Sequence, residues 1–428
     1  MTTYRIKDVA RINRTTLPED TNPDFRFRYV DISAVDSLGN ITVPEEDTVF
    51  ASAPSRARRI APAGSVLVST VRTYLQAIGT VPARMEPLVF STGFAVLEAE
   101  RNIHGRYLAF YCRSQPFIDG IVARSTGVSY PAISASEIGN LSVSLPPLEE
   151  QRRIADFLDA ETSRIDGLVD AELRVVDRLA ERRAAGVQYA VSGGEYVRRR
   201  ESTLAWLKSV PESWQEVRVG LLARMGSGHT PSRSRPEWWV ECTIPWITTG
   251  EVKQVRDDRV EDLYETRERI SKLGLSNSAA ELHRKGTVFL CRTASAGYSG
   301  VMGTDMATSQ DFVTWACGPR LNPYYLLWCL RAMRADLLGR LAMGSTHKTI
   351  YVPDLQMLRI PLPSLTEQGQ IVETIRNQNA RIDVLTDKVR RQVELLKERR
   401  QALITAAVTG QFDVSTASGR NVTDGVTV

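Results

Sequence analysis

The chain of 428 residues has little of what covalent chemistry on biological molecules requires. It has four histidines, His104, His229, His283 and His347. None falls at the H-E-x-x-H spacing that sets two imidazoles on one helix face, and no other ligand cluster appears, so no metal site is expected. Its five cysteines, Cys112, Cys242, Cys291, Cys317 and Cys329, form no C-x-x-C pair. Their odd number argues against a disulfide framework, and buried, reduced thiols are expected. No G-x-x-x-x-G-K-[ST] loop is present to cradle phosphates, so no ATP hydrolysis is expected. There is no apolar run of membrane-spanning length and no signal-peptide pattern, which makes a soluble cytoplasmic protein the default expectation. Lysine is also scarce: 46 of the 54 basic residues are Arg, the side chain suited to bidentate contacts with phosphate and guanine. An Ala- and Arg-rich composition follows equally from a GC-rich genome, and a net charge of +4 does not by itself announce a nucleic-acid partner.

What the chain does have is a copy of itself. The stretch from Leu145 to Gly193, opening LPPLEEQRRIADFLDAETSRID, aligns without a gap on the stretch from Leu362 to Gly410, which closes LLKERRQALITAAVTG. The offset is a constant 217 residues, and Leu-Pro-x-Leu, Glu-Gln, Arg-Ile-Asp, Glu-Arg-Arg and Val-Ser/Thr-Gly stay in step. Each copy reads as one long helix. Ser364 with Glu367 forms a capping box after Pro363, and Glu150 takes the matching place behind Pro146 and Pro147. Ile375, Ile382, Val389, Leu396 and Leu403 recur every seven residues, with Ile371 and Leu385 expected on the adjoining seam. Leu158, Ile165 and Leu179 keep the same rhythm in the first copy, interrupted by Glu172 and Gly186. Gly410 serves as the C-cap. At 1.5 Å per residue such helices run roughly 60 to 70 Å and need an equally long partner, which each copy offers the other.

The segments before the helices echo each other more faintly. β-type runs appear at Ser65–Ser69 and Phe94–Leu97, and a helix is predicted at Gly105–Ser114. The strand ending at Arg72 resembles the one ending at Arg292, Tyr107-Leu108 resembles Tyr325-Leu326, and Gly127, Ser129 and Ile133 match Gly344, Thr346 and Ile350. Between the halves, SGGEYVRRRESTL reads as a polar linker, its Arg198–Arg200 run a solvated hinge or a phosphate contact. The motif nearest to a methyltransferase, Asn322-Pro323-Tyr324-Tyr325, lacks the second proline needed to hold a flipped base. It fits a helix N-cap with Pro at the first position better. The Gly297–Gly303 stretch reads as a turn between strands.

The fold expected is α+β: two mixed α/β domains separated by two long helices in an antiparallel coiled coil, with an internal pseudo-twofold repeat. The boundaries are 1–147 for the first domain, 148–193 for the first helical region, 194–205 for the linker, 206–364 for the second domain, 365–413 for the second helical region and 414–428 for a polar tail. Two domains of one fold with different surfaces suit two sites on one extended ligand, and DNA is such a ligand.

The helical phrases above, with LKSVPESW at 207–214, the Gly226-Ser227-Gly228-His229-Thr230-Pro231 loop and Ile244-Pro245-Trp246-Ile247, resemble the specificity subunit of type I restriction-modification systems. The resemblance covers residues 1 to 413, although the first domain lacks the Pro-x-x-Trp phrase. It implies a DNA-reading scaffold without catalytic residues, in which each target recognition domain reads one half of a split asymmetric site of double-stranded DNA and the helices set the spacer. It also implies docking of modification subunits that methylate adenine with S-adenosylmethionine, and of a restriction subunit, a translocase-nuclease using ATP and Mg2+. No cofactor is expected on this chain itself. A related two-subunit modification-and-cleavage system uses a similar specificity chain and is an alternative. An enzyme with diverged motifs and a coiled-coil protein scaffold are the rivals from other classes.

Candidate DNA contacts come from two pairs of matching loops, after Gly127 and Gly344 and around Arg72 and Arg292, with a basic cluster at Arg56–Arg59 and the loop Gly226–Arg235 added. In the first domain they are Arg56, Arg58 and Arg59, then Arg72, Tyr74 and Gln76, then Ser129 and Tyr130. In the second they are His229, Thr230, Arg233 and Arg235, then Arg292, Thr293 and Ser295, then Ser345, Thr346, His347 and Lys348. These are donors of the kind that meet phosphates and base edges.

Overall fold

The computed structural model describes residues 2–83, 87–343 and 348–414. The chain divides into two compact units, Met1–Leu173 with Arg391–Val428, and Arg174–Arg390. Each long helix contributes to both. The first spans Leu148–Val191 and the second Leu365–Thr409, 44 and 45 residues. In the first unit the opening of the first helix packs on the close of the second, where Arg400 Nε lies 2.8 Å from Asp166. In the second unit the close of the first packs on the opening of the second, where Arg183 pairs with Asp383. The helices are therefore antiparallel in each. The repeat offset of 217 takes Asp166 to Asp383 and Arg183 to Arg400, so one contact is made twice with the copies exchanging roles.

The seam differs from the expectation in one respect. Ile375, Ile382, Val389, Leu396 and Leu403 are buried or half-buried, as are Leu158, Ile165 and Leu179. The adjoining line, however, is Val372, Asn379, Thr386, Val393, Arg400 and Ala407, all buried, and Leu385 is 49% exposed. Its image in the first helix is Ala155, Thr162, Val169, Val176, Arg183 and Ala190. Ile371 is half-buried against the second unit's core, but at Leu385 apolar character alone pointed one residue off. Half of the true line is polar and is tolerated because Thr162 and Thr386 bond the carbonyls of Leu158 and Ile382, while the arginines are ion-paired.

The Glu-Gln phrase of both copies has a structural task. Gln151 is 1% exposed; its Nε2 donates to the Pro146 and Asn102 carbonyls at 2.9 and 3.3 Å, and its Oε1 accepts from the His104 amide at 2.8 Å. Gln368 is fully buried and does the same with Pro363, Arg320 and the Asn322 amide. Each glutamine thus fastens a globular domain to the first turn of its own helix. The capping box is present: Ser364 N donates to Glu367 Oε2 at 2.8 Å and Glu367 N to Ser364 Oγ at 3.3 Å. Both copies end on a left-handed glycine, Gly193 at φ +65 and Gly410 at φ +74. At Gly193 a Cβ would lie 2.5 Å from Pro211 Cγ and 2.8 Å from the Trp214 ring, so the Pro-x-x-Trp phrase is packed on that helix end.

The presumed hinge is ordered. Arg199–Glu201 pairs antiparallel with Ser209–Pro211, and the Arg199 guanidinium donates to the Ser192 and Ser209 carbonyls at 3.1 and 2.7 Å. Arg200 donates to the Trp214 carbonyl at 3.0 Å. These donors satisfy the Ser192 carbonyl just past the helix end and two carbonyls of the segment that follows, which is why the arginine run is not simply solvated. Of the polar tail only Val414 is described, half-buried against the first unit's core.

The first unit centres on the antiparallel sheet β1 (Ala10–Ile12), β4 (Phe94–Ala99), β2 (Val66–Ser69) and β3 (Ile78–Thr80), in that spatial order, with α1 (Gly105–Cys112) against it. Tyr107 through Cys112 are all buried in α1, so the helix is apolar nearly all round. The second unit repeats the frame as β5 (Ala223–Ser227), β9 (Phe312–Cys317), β7 (Val288–Cys291) and β8 (Ser299–Met302), with β6 (Asp262–Leu263) added in parallel to β8. Its helix α2 (Pro323–Ala332) is capped by Asn322, whose Oδ1 accepts from the Tyr324 and Tyr325 amides at 2.9 and 3.4 Å. Gly297, at φ +87, turns the chain between β7 and β8. Each unit carries a second sheet, five-stranded in the first (including Ala57–Ile60 and Leu88–Ser91) and three-stranded in the second (including Ile244–Ile247 and Ala307–Thr308).

Candidate nucleic-acid interface

In the first unit β2 leaves the sheet at a corner built by backbone bonds. The Thr70 amide and hydroxyl both donate to the Gly93 carbonyl at 2.8 Å, the Ile133 amide donates to the Thr70 carbonyl at 2.8 Å, and Val71 bridges Ala132. This binds the loop after β2 to the loop around Ser129. Arg72 and Gln76 adopt φ +52 and +50, a region costly for side chains with a Cβ, and flank a tight turn at Thr73–Leu75. The Arg72 guanidinium lies 5.5 Å from the Tyr130 ring centroid. Tyr74 and Tyr130 are 57% and 68% exposed, large rings that packing would normally cover. Arg72, Tyr74, Gln76, Ser129 and Tyr130 thus share one corner.

The basic cluster does not behave as a unit. Arg56 touches the corner through its carbonyl, which accepts from the Thr92 amide at 2.8 Å, but its guanidinium is paired with Asp31 at 2.7 Å and donates to the Tyr29 hydroxyl at 3.2 Å. Arg58 lies 4.8 Å over the Phe50 ring. Arg59 Nε is buried with no hydrogen-bond partner among the described residues, and burial pushes the pKa of its guanidinium down.

The second unit builds the same corner from different side chains. The Arg292 amide donates to the Asp311 carbonyl at 2.8 Å, the Ile350 amide to the Arg292 carbonyl at 2.8 Å, and Thr293 bridges Thr349. Cys291 pairs with Phe312 where Ser69 pairs with Phe94. This register makes Thr70 the counterpart of Arg292, and Arg72 the counterpart of Ala294, which is also left-handed at φ +61. The match of Arg72 with Arg292 read from the sequence is therefore two residues out. Two arginines near the ends of similar strands aligned attractively, but the backbone bonds set the correspondence.

Into this corner comes the glycine-rich loop. A Cβ on Gly228 would sit 2.2 Å from the Thr308 and Ser309 carbonyls, so only glycine lets the loop lie this close; the His229 amide then donates to Thr308 O at 3.0 Å. The Thr230 hydroxyl donates to Gln310 Oε1 at 2.6 Å, and Arg292 Nε to the Gln310 carbonyl at 3.1 Å. His229, Thr230, Arg292 and Thr293 come together around Gln310. Ser295 folds back so that its amide donates to the Thr293 carbonyl at 2.7 Å. Lys348 is exposed, with Nζ 3.4 Å from the Leu338 carbonyl; Ser345, Thr346 and His347 lie outside the described residues. Arg233 is occupied elsewhere, stacked 3.8 Å over Trp239 and paired with Glu268 at 2.8 Å. Trp239 meets Trp246 edge-on at 5.7 Å, so Arg233 helps to hold the Ile-Pro-Trp-Ile strand. Arg235 is exposed beside Glu237 at 3.7 Å.

Gln310 was not among the expected contacts. It stands alone in the sequence between Ser309 and Asp311, and only the register brings it to Arg292. What the corners offer is cationic, amide, hydroxyl and aromatic groups on a rigid frame. Among the described residues no three His, Cys, Asp or Glu side chains converge as a metal site, and no helix is long and apolar enough to cross a membrane.

Residues 1–169 and 211–395 match the model of the type I restriction modification DNA specificity domain. The specificity subunit of the type I restriction enzyme EcoBI from Escherichia coli is 21% identical over 338 residues, which cover 76% of this chain and 70% of that protein. The putative type I restriction enzyme MjaX specificity subunit from Methanocaldococcus jannaschii is 21% identical over 440 residues, covering 96% and 93%. Among solved structures, a chain described for complex assembly and conformational transition of the type I R-M system aligns with a TM-score of 0.69 at 26% identity, over 96% of this chain and 98% of that one. The HsdS subunit from Thermoanaerobacter tengcongensis aligns with a TM-score of 0.50 at 26% identity, over 96% and 97%.

Proposed function

The chain belongs to the type I restriction modification DNA specificity family, and from that premise we propose that its two units read the two halves of one split, asymmetric DNA site. As a specificity subunit it is non-catalytic and gives a restriction-modification complex its DNA sequence preference. The observation that supports a split reading is the duplicated corner. One backbone frame presents Thr70, Arg72 and Tyr130 in the first unit and Arg292, Gln310 and Thr230 in the second. Equal frames with unequal side chains suit one recognition task performed on two different sequences.

In this reading the continuous helices of 44 and 45 residues hold the half-sites at a fixed spacing and carry the docking surfaces for methyltransferase subunits and a translocase-nuclease subunit. S-adenosylmethionine, ATP and Mg2+ are used by those partners, and the complex works in the cytoplasm, where chromosomal DNA is met. The corner residues supply positioning and readout only: arginine and lysine donate to phosphates, amides and hydroxyls to base edges, and exposed tyrosines pack against sugar or base.

Replacing residues 206–364 by the corresponding domain of another family member tests this. Methylation mapping should show one half-site changed, with the other half and the spacer retained. A change in both halves together would remove the assignment of one half-site to each unit.

A further inference from the structure

We propose that Gln310 reads a base edge in the half-site of the second unit, and that the base is adenine. The proposal rests on the reading above that this unit contacts one half of the DNA site.

An exposed glutamine ordinarily samples several rotamers, and fixing it on a ligand costs side-chain entropy. Gln310 is exposed yet held from two directions. Thr230 Oγ1 donates to its side-chain Oε1 at 2.6 Å, and its backbone carbonyl accepts from Arg292 Nε at 3.1 Å. The adjoining Asp311 is fixed as well: its carbonyl accepts from the Arg292 amide at 2.8 Å, and one carboxylate oxygen accepts from the Ser309 hydroxyl at 3.1 Å. Thr230 reaches this position only because Gly228 lets its loop lie against the Thr308 and Ser309 carbonyls. The backbone at Gln310 is thus fixed and the Thr230 bond orients its side-chain amide before DNA arrives, which favours a discriminating contact.

Its remaining hydrogen-bonding capacity sets the base. Oε1 keeps one lone pair, and Nε2 has no partner among the described residues. An acceptor and a donor side by side in one plane match the N6 amino group and N7 of adenine in the major groove. Were the amide turned over, Thr230 would accept instead of donate, and an acceptor and a donor would still face outward. Arg292 contributes the electrostatic half of the corner, since the terminal nitrogens of its guanidinium also have no partner among the described residues. In the first unit Thr92 occupies the corner's corresponding place before Gly93, and a threonine cannot form a bidentate amide pair, so the two units discriminate differently.

The test uses the full chain assembled with its modification subunits, a randomised duplex library and methylation mapping. Gln310→Ala should lower discrimination about tenfold or more at one position of one half-site, an A·T pair, with the other half and the salt dependence unchanged. Thr230→Val should weaken the same position less, as expected of a positioning residue. Full discrimination at every position in Gln310→Ala, a uniform loss at all positions, or relaxation at a G·C pair would overturn the proposal. The exchange of residues 206–364 separates the two levels. If that exchange leaves both halves unchanged, the underlying reading fails; if it replaces one half while Gln310→Ala leaves that half intact, only the assignment to Gln310 fails.

Discussion

Thr70 in the first unit and Arg292 in the second occupy one node of the same frame. Each accepts the amide of an isoleucine, Ile133 or Ile350, and each donates its own amide across the sheet corner to Gly93 or Asp311. The backbone bonds are identical and the side chains are not: a neutral hydroxyl spent on the Gly93 carbonyl in one unit, a cation lying along Gln310 in the other. The scaffold positions are held by amides and carbonyls, which every residue but proline supplies. The side chains at those positions are consequently free to differ, which is what a reader of many sequences needs.

Four tests break or sharpen this comparison. The largest effect is expected where the units are alike. Gln151→Leu and Gln368→Leu each strand two carbonyls and one amide in a buried place, and each should lower stability by about 3 kcal/mol or more, read by denaturant unfolding. Similar losses would support two equivalent clamps, and a loss in one alone would show that the symmetry is only geometric. Next is the helix start, where the units differ. Asn322 caps α2 through its side chain, whereas His104 at the start of α1 makes no such bond. Asn322→Ala should cost about 1 kcal/mol, and His104→Asn should gain up to a similar amount in thermal unfolding.

A smaller, functional effect is expected at the node itself. Arg292→Thr makes the second corner resemble the first, and if Arg292 meets a phosphate the slope of log K against log salt should fall by about 0.9. An unchanged slope in a folded protein would remove Arg292 from the phosphate contacts. The least effect concerns pH. The Glu367 carboxyl is held below its ordinary pKa, first by the Ser364 hydrogen bond and then by Tyr196, while partial burial works the other way. Its contribution is therefore complete above about pH 4.3 and lost as pH falls through the lowered value. Glu367→Gln should flatten this acid limb of stability by a few tenths of a kcal/mol, since the group is largely solvent-screened. An acid limb identical to wild type would show that the capping box contributes nothing measurable there.

The sequence by itself determined the repeat, the two long helices, their caps at Ser364 and Gly410, the Asn322 cap and the family, because these follow from local spacing and from phrases preserved between the copies. It placed Arg72, Tyr74, Ser129 and Tyr130, and likewise Arg292 and Thr293, in loops that the structure brings together, and it singled out the separate loop whose Thr230 meets Gln310. Only the tertiary structure decided which loop residue answers which. Arg72 corresponds to Ala294 because both take the left-handed turn after the strand, and Leu385 faces solvent while Thr386 lies in the seam because facing side chains, not hydrophobicity alone, select the line of contact. Arg199 and Arg233 looked free as letters, yet one closes a helix end and the other braces two tryptophans. A charged side chain's role depends on the carbonyls, carboxylates and rings within a few ångströms of it. Residues far apart in the chain supply many of those neighbours, and only the fold brings them together.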